Sequence, residues 1–177
     1  MGEIMKSKLA SFLMAALLLV CTSCATGRGN LRRQTPALVP SIWPVQDEAG
    51  SISSKFGLRG QGPAMRHHNG VDITAKKGAP VLATADGMVL FSGRAGSYGR
   101  AIKISHGDGI ETCYAHLRKC IAKRGRSVMQ GDRIGKVGRS GRADGYHLHY
   151  EVRISGTPTD PAPFLPAQPP KEQTGEK

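Results

Sequence analysis

The chain has 177 residues, of which 39% are hydrophobic and 21% are charged; this composition predicts a folded core and excludes a wholly disordered chain. Glycine is abundant, at 23 residues, and aromatic residues make up only 5%, which favours short strands joined by tight turns over a helical bundle. The net charge of +12 predicts an anionic partner, either a nucleic acid or an anionic cell envelope.

Residues 1–24 have the pattern of a secretory signal peptide. Lys6 and Lys8 form a basic start, an apolar run extends from Ala10 to Val20, and small residues follow. The apolar run is shorter than the stretch of about 20 residues that spans a membrane. Export favours the cell envelope over nucleic acid as the anionic partner, and the basic residues lack the interleaved aromatic residues of nucleic-acid-binding segments.

The end of this segment, "CTSC", resembles a bacterial lipobox. Thr22 and Ser23 fit the two positions before the acylated cysteine, which would be Cys24, although Cys21 stands where leucine is usual. We therefore expect a lipid on Cys24 that anchors the mature chain to a membrane surface, with simple cleavage and secretion as the alternative. Ala25, rather than aspartate, favours the outer membrane by the same resemblance.

The rest of the chain divides into a linker at 25–40, one compact domain at 41–165 and a tail at 166–177 that is predicted to be disordered. Alternating apolar runs separated by turn signals predict an all-β, antiparallel domain. Asp86-Gly87 predicts a hairpin between "APVLATA" and "MVLFSG", and the Gly107-Asp108-Gly109 stretch predicts a second hairpin.

Two histidine motifs indicate a metal site. His68 and Asp72 in "HHNGVD" are types of residue that bind zinc, and His147 and His149 in "HLHYEVR" project to one face of a strand. Catalytic zinc takes three protein ligands and keeps one open position. His68, Asp72 and one histidine of the pair would supply three ligands, and the other histidine would be suited to moving protons.

The segment "ETCYAHL" contributes a further histidine, His116. In a regular strand Tyr114 and His116 share one face and Cys113 lies on the other, which argues against Cys113 as a metal ligand beside His116. Cys113 and Cys120 either form a disulfide or are free thiols, because their spacing alone does not show that their side chains meet.

These residues occur in the order His68-x-x-x-Asp72, His116, His147-x-His149, and this order resembles the lysostaphin-type zinc endopeptidases, also known as LytM-domain or duplicated-hybrid-motif peptidases. "FGLRG", "GAPVLATADGMV", "ISHGDGIETCYAHL", "GDRIGKVGRSG" and "DPAPFL" extend the similarity over about residues 50–165. The resemblance implies a compact antiparallel β-sheet or sandwich-like fold with zinc in a groove. It implies that His68, Asp72 and His149 bind the zinc and that His116 and His147 are catalytic.

The resemblance also implies a substrate, the peptide cross-links or stems of peptidoglycan. Members cut either glycyl-glycine bonds or cross-links between D-amino acids, and the lipoprotein signal favours the second group. The alternative is a catalytically silent module of the same type that binds the cell wall and activates other hydrolases. Three further residues have lesser expected roles: His67 as a solvated neighbour, His106 as a structural histidine and Arg59 as a substrate contact. The sequence carries no signal for an oligomeric state.

Overall fold

A computed structural model describes residues 38–47, 50–60 and 65–166. The predicted signal peptide, the lipidation site Cys24, most of the linker and nearly all of the tail lie outside the described residues. Among the residues that are described, no helix is long and apolar enough to cross a membrane.

The described residues form short strands and two single-turn 3-10 helices, at Gly96–Tyr98 and Ala162–Phe164. The strands are β1 (Ser51–Ser54), β2 (Gly57–Arg59), β3 (Arg66–His68), β4 (Val71–Thr74), β5 (Pro80–Leu82), β6 (Gly87–Arg94), β7 (Arg100–Gly107), β8 (Ile110–Cys120), β9 (Ser127–Val128), β10 (Arg133–Val137), β11 (His147–Ile154) and β12 (Thr157–Thr159). The all-β prediction is confirmed.

Antiparallel pairing joins ten of these strands into one sheet, in which β1, β4, β11, β8, β7, β6 and β9 are neighbours in that order. Strand β10 pairs with both β5 and β8, β12 pairs with β11, and β2 and β3 form a separate two-stranded ribbon. Every pair is antiparallel, as the hairpin-rich sequence predicts. The central position of β11, between β4 and β8, brings the two halves of the histidine pattern together.

The hydrophobic core lies on one face of the central strands. Val71 and Ile73 of β4 and Leu148 and Tyr150 of β11 are buried there, with Tyr114 of β8 packed against Tyr150. The two tyrosine hydroxyls share hydrogen bonds with the hydroxyl of Thr84. Because alternate residues of a strand point to opposite faces, this core leaves Asp72, His147 and His149 on the other side of the sheet.

The turn at residues 107–109 is confirmed. Strands β7 and β8 pair up to Gly107 and Ile110, and a two-residue loop of Asp108 and Gly109 joins them. Both loop residues have positive φ, 48° and 74°, as a tight turn matched to the strand twist requires.

The predicted hairpin at Asp86-Gly87 is wrong. Strand β5 pairs with β10, and β6 pairs with β7 and β9, so the two runs flanking the dipeptide are not neighbours. Gly87 instead allows a close approach of strands, because a Cβ there would lie 2.2 Å from the carbonyl oxygen of Ser105 in β7. The Asp86 carbonyl accepts a hydrogen bond from His106, which ties the same junction to β7.

The two cysteines of the described region are free thiols, so of the two alternatives the structure shows the unpaired one. Cys113 is buried and Cys120 is partly exposed. Burial raises the pKa of the Cys113 thiol to about 12, which makes it unreactive at neutral pH.

Candidate metal centre

The register between two neighbouring strands places two of the predicted ligands side by side. His149 of β11 lies directly opposite Asp72 of β4. The Nδ1 atom of His149 is 2.8 Å from Oδ1 of Asp72 and 3.0 Å from Nε2 of His68. His68 Nε2 is in turn 3.1 Å from the same carboxylate oxygen, so the three donor atoms converge on one point.

His68 reaches this point from outside the main sheet, at the end of β3. Its Nδ1–H donates a hydrogen bond to the Lys55 carbonyl at 2.8 Å, which leaves Nε2 directed at Asp72 and His149. Gly70, between His68 and Asp72, lies against β11: a Cβ there would be 2.2 Å from the Tyr150 carbonyl oxygen. The glycine thus serves a close backbone approach that brings the His-x-x-x-Asp loop onto the strand that carries His149.

The donor set fits zinc. Two imidazole nitrogens and one carboxylate oxygen are ordinary zinc donors, and ligand atoms of a tetrahedral zinc lie about 3.3 Å apart. The observed separations of 2.8–3.1 Å are close to that value. Within the described ranges, His68, Asp72 and His149 are the group of His, Cys, Asp and Glu side chains that could hold a metal ion. Three protein donors, rather than four, are typical of a catalytic site.

The electrostatics of the trio favour a charged carboxylate. Burial alone would raise the pKa of Asp72, but the hydrogen bonds with His149 and His68 hold this pKa well below its usual range. Asp72 is therefore ionised at neutral pH, as metal binding requires. Burial lowers the pKa of His149, while its contacts with Asp72 and Glu151 raise it by more, so the carboxylates dominate its environment.

Arg59, on β2, contacts the ligands themselves. Its guanidinium donates to Oδ2 of Asp72 at 2.9 Å and also meets Nδ1 of His68. The oxygen of Asp72 that contacts Arg59 is not the one that faces the two histidines. Arg59 therefore lies beside the metal site, as the resemblance implies, and its role as a substrate contact stays a prediction.

His116 reaches the site through a bulge in β8, and the expectation that it shares a face with Tyr114 is wrong. Between the pairs Arg100–Leu117 and Ile102–Tyr114, two residues of β8 face one residue of β7. His116 is the extra residue, with φ of 59° in the left-handed region. The bulge reverses the alternation, so Tyr114 enters the core while His116 turns to the opposite face.

The same bulge brings Cys113 and His116 to one face of β8, so the expected separation of these two side chains by strand face is wrong. Cys113 is paired with Glu151 and so lies on the face of β11 that carries His149. It nevertheless takes no part in the converging trio. Cys113 is not a member of the trio because it lies opposite Glu151, two residues along β11 from His149, and not because it points to the other face of the sheet.

The two remaining histidines of the motif flank the trio. The ring of His116 lies 4.8 Å from that of His147 and 5.8 Å from that of His149, centre to centre. His116 Nδ1 donates to the Ser140 carbonyl at 2.8 Å, and His147 Nδ1 donates to the Gly145 carbonyl at 3.1 Å. Each ring, when neutral, is thereby held with its Nε2 as the acceptor. Burial lowers the pKa of His116, which favours its neutral form at neutral pH.

Three residues around the site were not identified by the sequence analysis. Glu151 is fully buried and its Oε1 is 3.1 Å from Nε2 of His149. Tyr98 donates to the same oxygen at 2.5 Å, and Ser140 supplies the carbonyl that orients His116. Only Glu151 had a sequence signal, because it follows His149 by two residues and so shares its face of the strand.

The other two histidines lie apart from the trio. His67 is exposed, edge-on to Phe56, with its Nδ1 3.1 Å from Oδ1 of Asn69. His106 is buried, and its ring nitrogens make hydrogen bonds with the Asp86 carbonyl and the Thr112 hydroxyl. Both placements agree with the lesser roles expected of these residues.

The fold and the site define an all-β protein in which His68, Asp72 and His149 form a three-donor cluster that could hold a metal ion. Residues 66–161, more than half of the chain, match the family model described as Peptidase family M23. The chain belongs to this family, which confirms the resemblance to the lysostaphin-type peptidases, and zinc is the cofactor that the family and the donor set share.

Named relatives and solved structures agree with this assignment. The chain is 49% identical over 113 residues, 62% of its length, to the DD-carboxypeptidase/endopeptidase Mpg of Neisseria meningitidis serogroup B, and this match covers 26% of that relative. A zinc-containing peptidase from Vibrio cholerae superposes with a TM-score of 0.64 at 34% identity, over 69% of this chain and 39% of that one. The catalytic domain of lysostaphin from Staphylococcus simulans gives a TM-score of 0.59 at 30% identity, over 65% and 91%. The chain thus spans about a quarter of the curated relative it matches.

Proposed function

We propose that this protein is a zinc metallo-endopeptidase that hydrolyses peptide cross-links or stems of bacterial peptidoglycan. The observation that carries the proposal is the convergence of His68, Asp72 and His149 with two further histidines held beside them. A silent wall-binding module would need neither an open three-donor site nor two oriented imidazoles next to it. Membership of a peptidase family supports the same conclusion.

In this proposal His68, Asp72 and His149 hold the zinc, and His116 and His147 are the catalytic residues. Zinc, when bound, supplies Lewis-acid activation of water and of a peptide carbonyl. Nε2 of His147 lies 3.8 Å from Oδ1 of Asp72, so it is next to the trio without completing it. The Ser140 and Gly145 carbonyls keep the Nδ1 protons in place, so each catalytic ring exchanges protons through Nε2.

These two rings divide the proton transfers of peptide hydrolysis. One ring, neutral, accepts a proton from the attacking water at Nε2, and the other, protonated at Nε2, donates a hydrogen bond to the tetrahedral species or its proton to the leaving amine. His116 suits the accepting role, because burial lowers its pKa and keeps it neutral. General acid–base assistance of this kind contributes about 10²–10⁴-fold to the rate.

The substrate proposal rests on charge and on the relatives. A net charge of +12 favours an anionic polymer or envelope surface, with binding that weakens as salt rises. A matched relative is named as a DD-carboxypeptidase/endopeptidase, so we propose a cross-link between D-amino acids as the bond that is cut. We further propose that the chain acts at the cell envelope, exported by residues 1–24 and anchored through a lipid on Cys24.

The experiment that tests this function is digestion of purified muropeptides by the zinc-loaded chain, with mass spectrometry of the products. The expected product is a cleaved cross-link, absent with His149→Ala, which loses a zinc ligand, and strongly reduced with His116→Ala. A chain that binds zinc but releases no product would contradict the enzyme proposal and favour the silent, activating module.

A further inference from the structure

Glu151 is a buried carboxylate that the proposed chemistry does not use. It lies on β11, two residues after His149, and its side chain is fully enclosed. Burying a carboxylate costs free energy unless strong hydrogen bonds compensate for the lost water. Glu151 is not a member of the converging metal trio, so its presence calls for another explanation.

Three side chains satisfy the Glu151 carboxylate. Oε1 accepts a hydrogen bond from the Tyr98 hydroxyl at 2.5 Å and lies 3.1 Å from His149 Nε2. Oε2 accepts a hydrogen bond from Arg153 Nε at 2.8 Å. Because His149, Glu151 and Arg153 are alternate residues of one strand, they form a row on the same face, and Tyr98 covers this row from the 3-10 helix Gly96–Tyr98.

The two nitrogens of the His149 ring therefore face different partners. Nδ1 points at Asp72 and His68, and Nε2 points at Glu151. Both partners are carboxylates, but Asp72 is a fellow member of the proposed ligand set and Glu151 is not. With a metal held by the trio, Nδ1 would give its lone pair to the metal, and the ring proton would stay on Nε2 as a donor to Glu151. A histidine ligand whose second nitrogen donates to a carboxylate has a fixed tautomer and a more basic donor atom.

We infer that Glu151, itself held by Tyr98 and Arg153, is a positioning residue that fixes the tautomer and orientation of His149 as a zinc ligand. Tyr98 contributes twice, because its ring also lies edge-on to the His149 ring at 5.6 Å between centres. The inference rests on the ligand set proposed above.

A purely structural role is the competing explanation. In that case Glu151 would only pair with Arg153, and its loss would lower the stability of the fold without altering how tightly the folded protein holds zinc. The two explanations therefore predict different zinc affinities for the Glu151 variants, whereas both allow a lower melting temperature.

The test measures the zinc dissociation constant of the full chain by competition with a chromophoric chelator, together with the absorption spectrum of the Co²⁺-substituted protein. Glu151→Met removes the acceptor, Glu151→Gln keeps an uncharged acceptor, and Tyr98→Phe removes one of the hydrogen bonds that hold it. We expect Glu151→Met to weaken zinc binding by about 10–100-fold, with partial rescue in Glu151→Gln and a smaller loss in Tyr98→Phe. The Co²⁺ bands should shift in the same order.

Thr112→Val is the matched control. Thr112 is buried in the neighbouring strand β8, and its hydroxyl contacts His106 and Tyr114, not the metal trio. This variant should melt at a lower temperature and bind zinc as the wild type does. If Glu151→Met does not fold, Glu151→Gln and Tyr98→Phe decide the question.

Unchanged zinc affinity and unchanged Co²⁺ bands in the folded Glu151 and Tyr98 variants would overturn the inference. The zinc-binding measurements contain no substrate, so their outcome is independent of the muropeptide digestion that tests the proposed function. Zinc binding that depends on Glu151 in a chain that cleaves no muropeptide would keep this inference and remove the enzyme proposal. Normal cleavage of muropeptides together with zinc binding that does not depend on Glu151 would keep the enzyme proposal and remove this inference.

Discussion

Ser140 connects the loop after β10 to two strands and to His116, a proposed catalytic residue. Its hydroxyl accepts a hydrogen bond from the Arg100 N–H and donates one to the Leu117 carbonyl, both at 2.8 Å. Its own carbonyl accepts the hydrogen bond from His116 Nδ1. Ser140→Ala removes the two hydroxyl bonds and leaves the carbonyl in place, so it tests whether the loop must be held for His116 to function.

The expected loss follows from those two bonds. Each contributes about 0.5–1.5 kcal/mol to the free energy of unfolding, so Ser140→Ala should destabilise the fold by about 1–3 kcal/mol. At about 4 °C per kcal/mol for a domain of this size, the melting temperature should fall by roughly 4–12 °C. Displacement of the Ser140 carbonyl would misplace the His116 ring and lower kcat by up to about 100-fold. Zinc affinity should not change, because the proposed ligands lie on β3, β4 and β11.

Ser92→Ala is the matched control, since the same substitution there removes a hydroxyl that donates to the Ala122 carbonyl at 2.7 Å, away from the proposed ligands. It should lower the free energy of unfolding by about 0.5–1.5 kcal/mol and leave kcat alone. The measurements are thermal denaturation by circular dichroism, kcat on muropeptides and chelator competition for zinc. The reasoning fails if Ser140→Ala melts no lower than Ser92→Ala, or if it weakens zinc binding.

Three other predictions concern the remaining histidines and the thiols. His147→Ala should keep zinc and lose about 10²–10⁴-fold in kcat, whereas His149→Ala should lose zinc; metal analysis of both purified variants checks this, and loss of zinc from His147→Ala would reverse the assignment of the pair. In the native protein Cys113 should resist a thiol reagent that modifies the partly exposed Cys120, and it should react only after unfolding; rapid labelling of Cys113 in the folded state would contradict its burial. Burial lowers the pKa of His106 below its ordinary value of 6.5, so this histidine binds a proton more tightly in the unfolded chain than in the folded one. The stability that the neutral, buried His106 contributes is therefore present above about pH 6.5 and is lost as the pH falls below that value. Urea unfolding at pH 7.5 and pH 5 should therefore show a smaller acid loss in His106→Asn than in the wild type, and equal losses would count against this origin.

The parts of the fold that could be predicted from sequence depend on local signals. The His147–His149 strand follows from alternation alone, and the turn at Asp108-Gly109 follows from residues that tolerate positive φ. The Asp86-Gly87 dipeptide carries an equally strong turn signal, but the glycine there serves a strand crossing. A local pattern does not distinguish a turn from a close approach by a strand that is distant in sequence.

The parts of the site that escaped prediction depend on register. The resemblance names His116, but strand alternation predicts the wrong face for it, because His116 reaches the site only through a bulge in β8 and no sequence pattern predicts its left-handed backbone. Tyr98 comes from the segment before β7 and Ser140 from the loop after β10, and the packing of these two segments against each other is not encoded in a local pattern. Two glycines make that packing close: a Cβ on Gly99 would lie 2.3 Å from the Ser140 carbonyl carbon, and one on Gly141 would lie 2.3 Å from the Gly99 nitrogen.

Core packing and metal binding impose the same constraint on strands β4 and β11. Asp72 lies opposite His149 only in the register that also pairs Ile73 with Leu148 and Val71 with Tyr150. All four apolar side chains are buried on the far face, so a slip of one residue would drive Asp72 into the core and Ile73 towards the metal. Burying the Asp72 carboxylate and exposing Ile73 would cost much free energy, so core packing alone fixes the register of β4 and β11 without a metal. The pairing of Asp72 with His149 is therefore a consequence of the apolar face of the sheet, and the apo protein should already hold these two proposed ligands side by side.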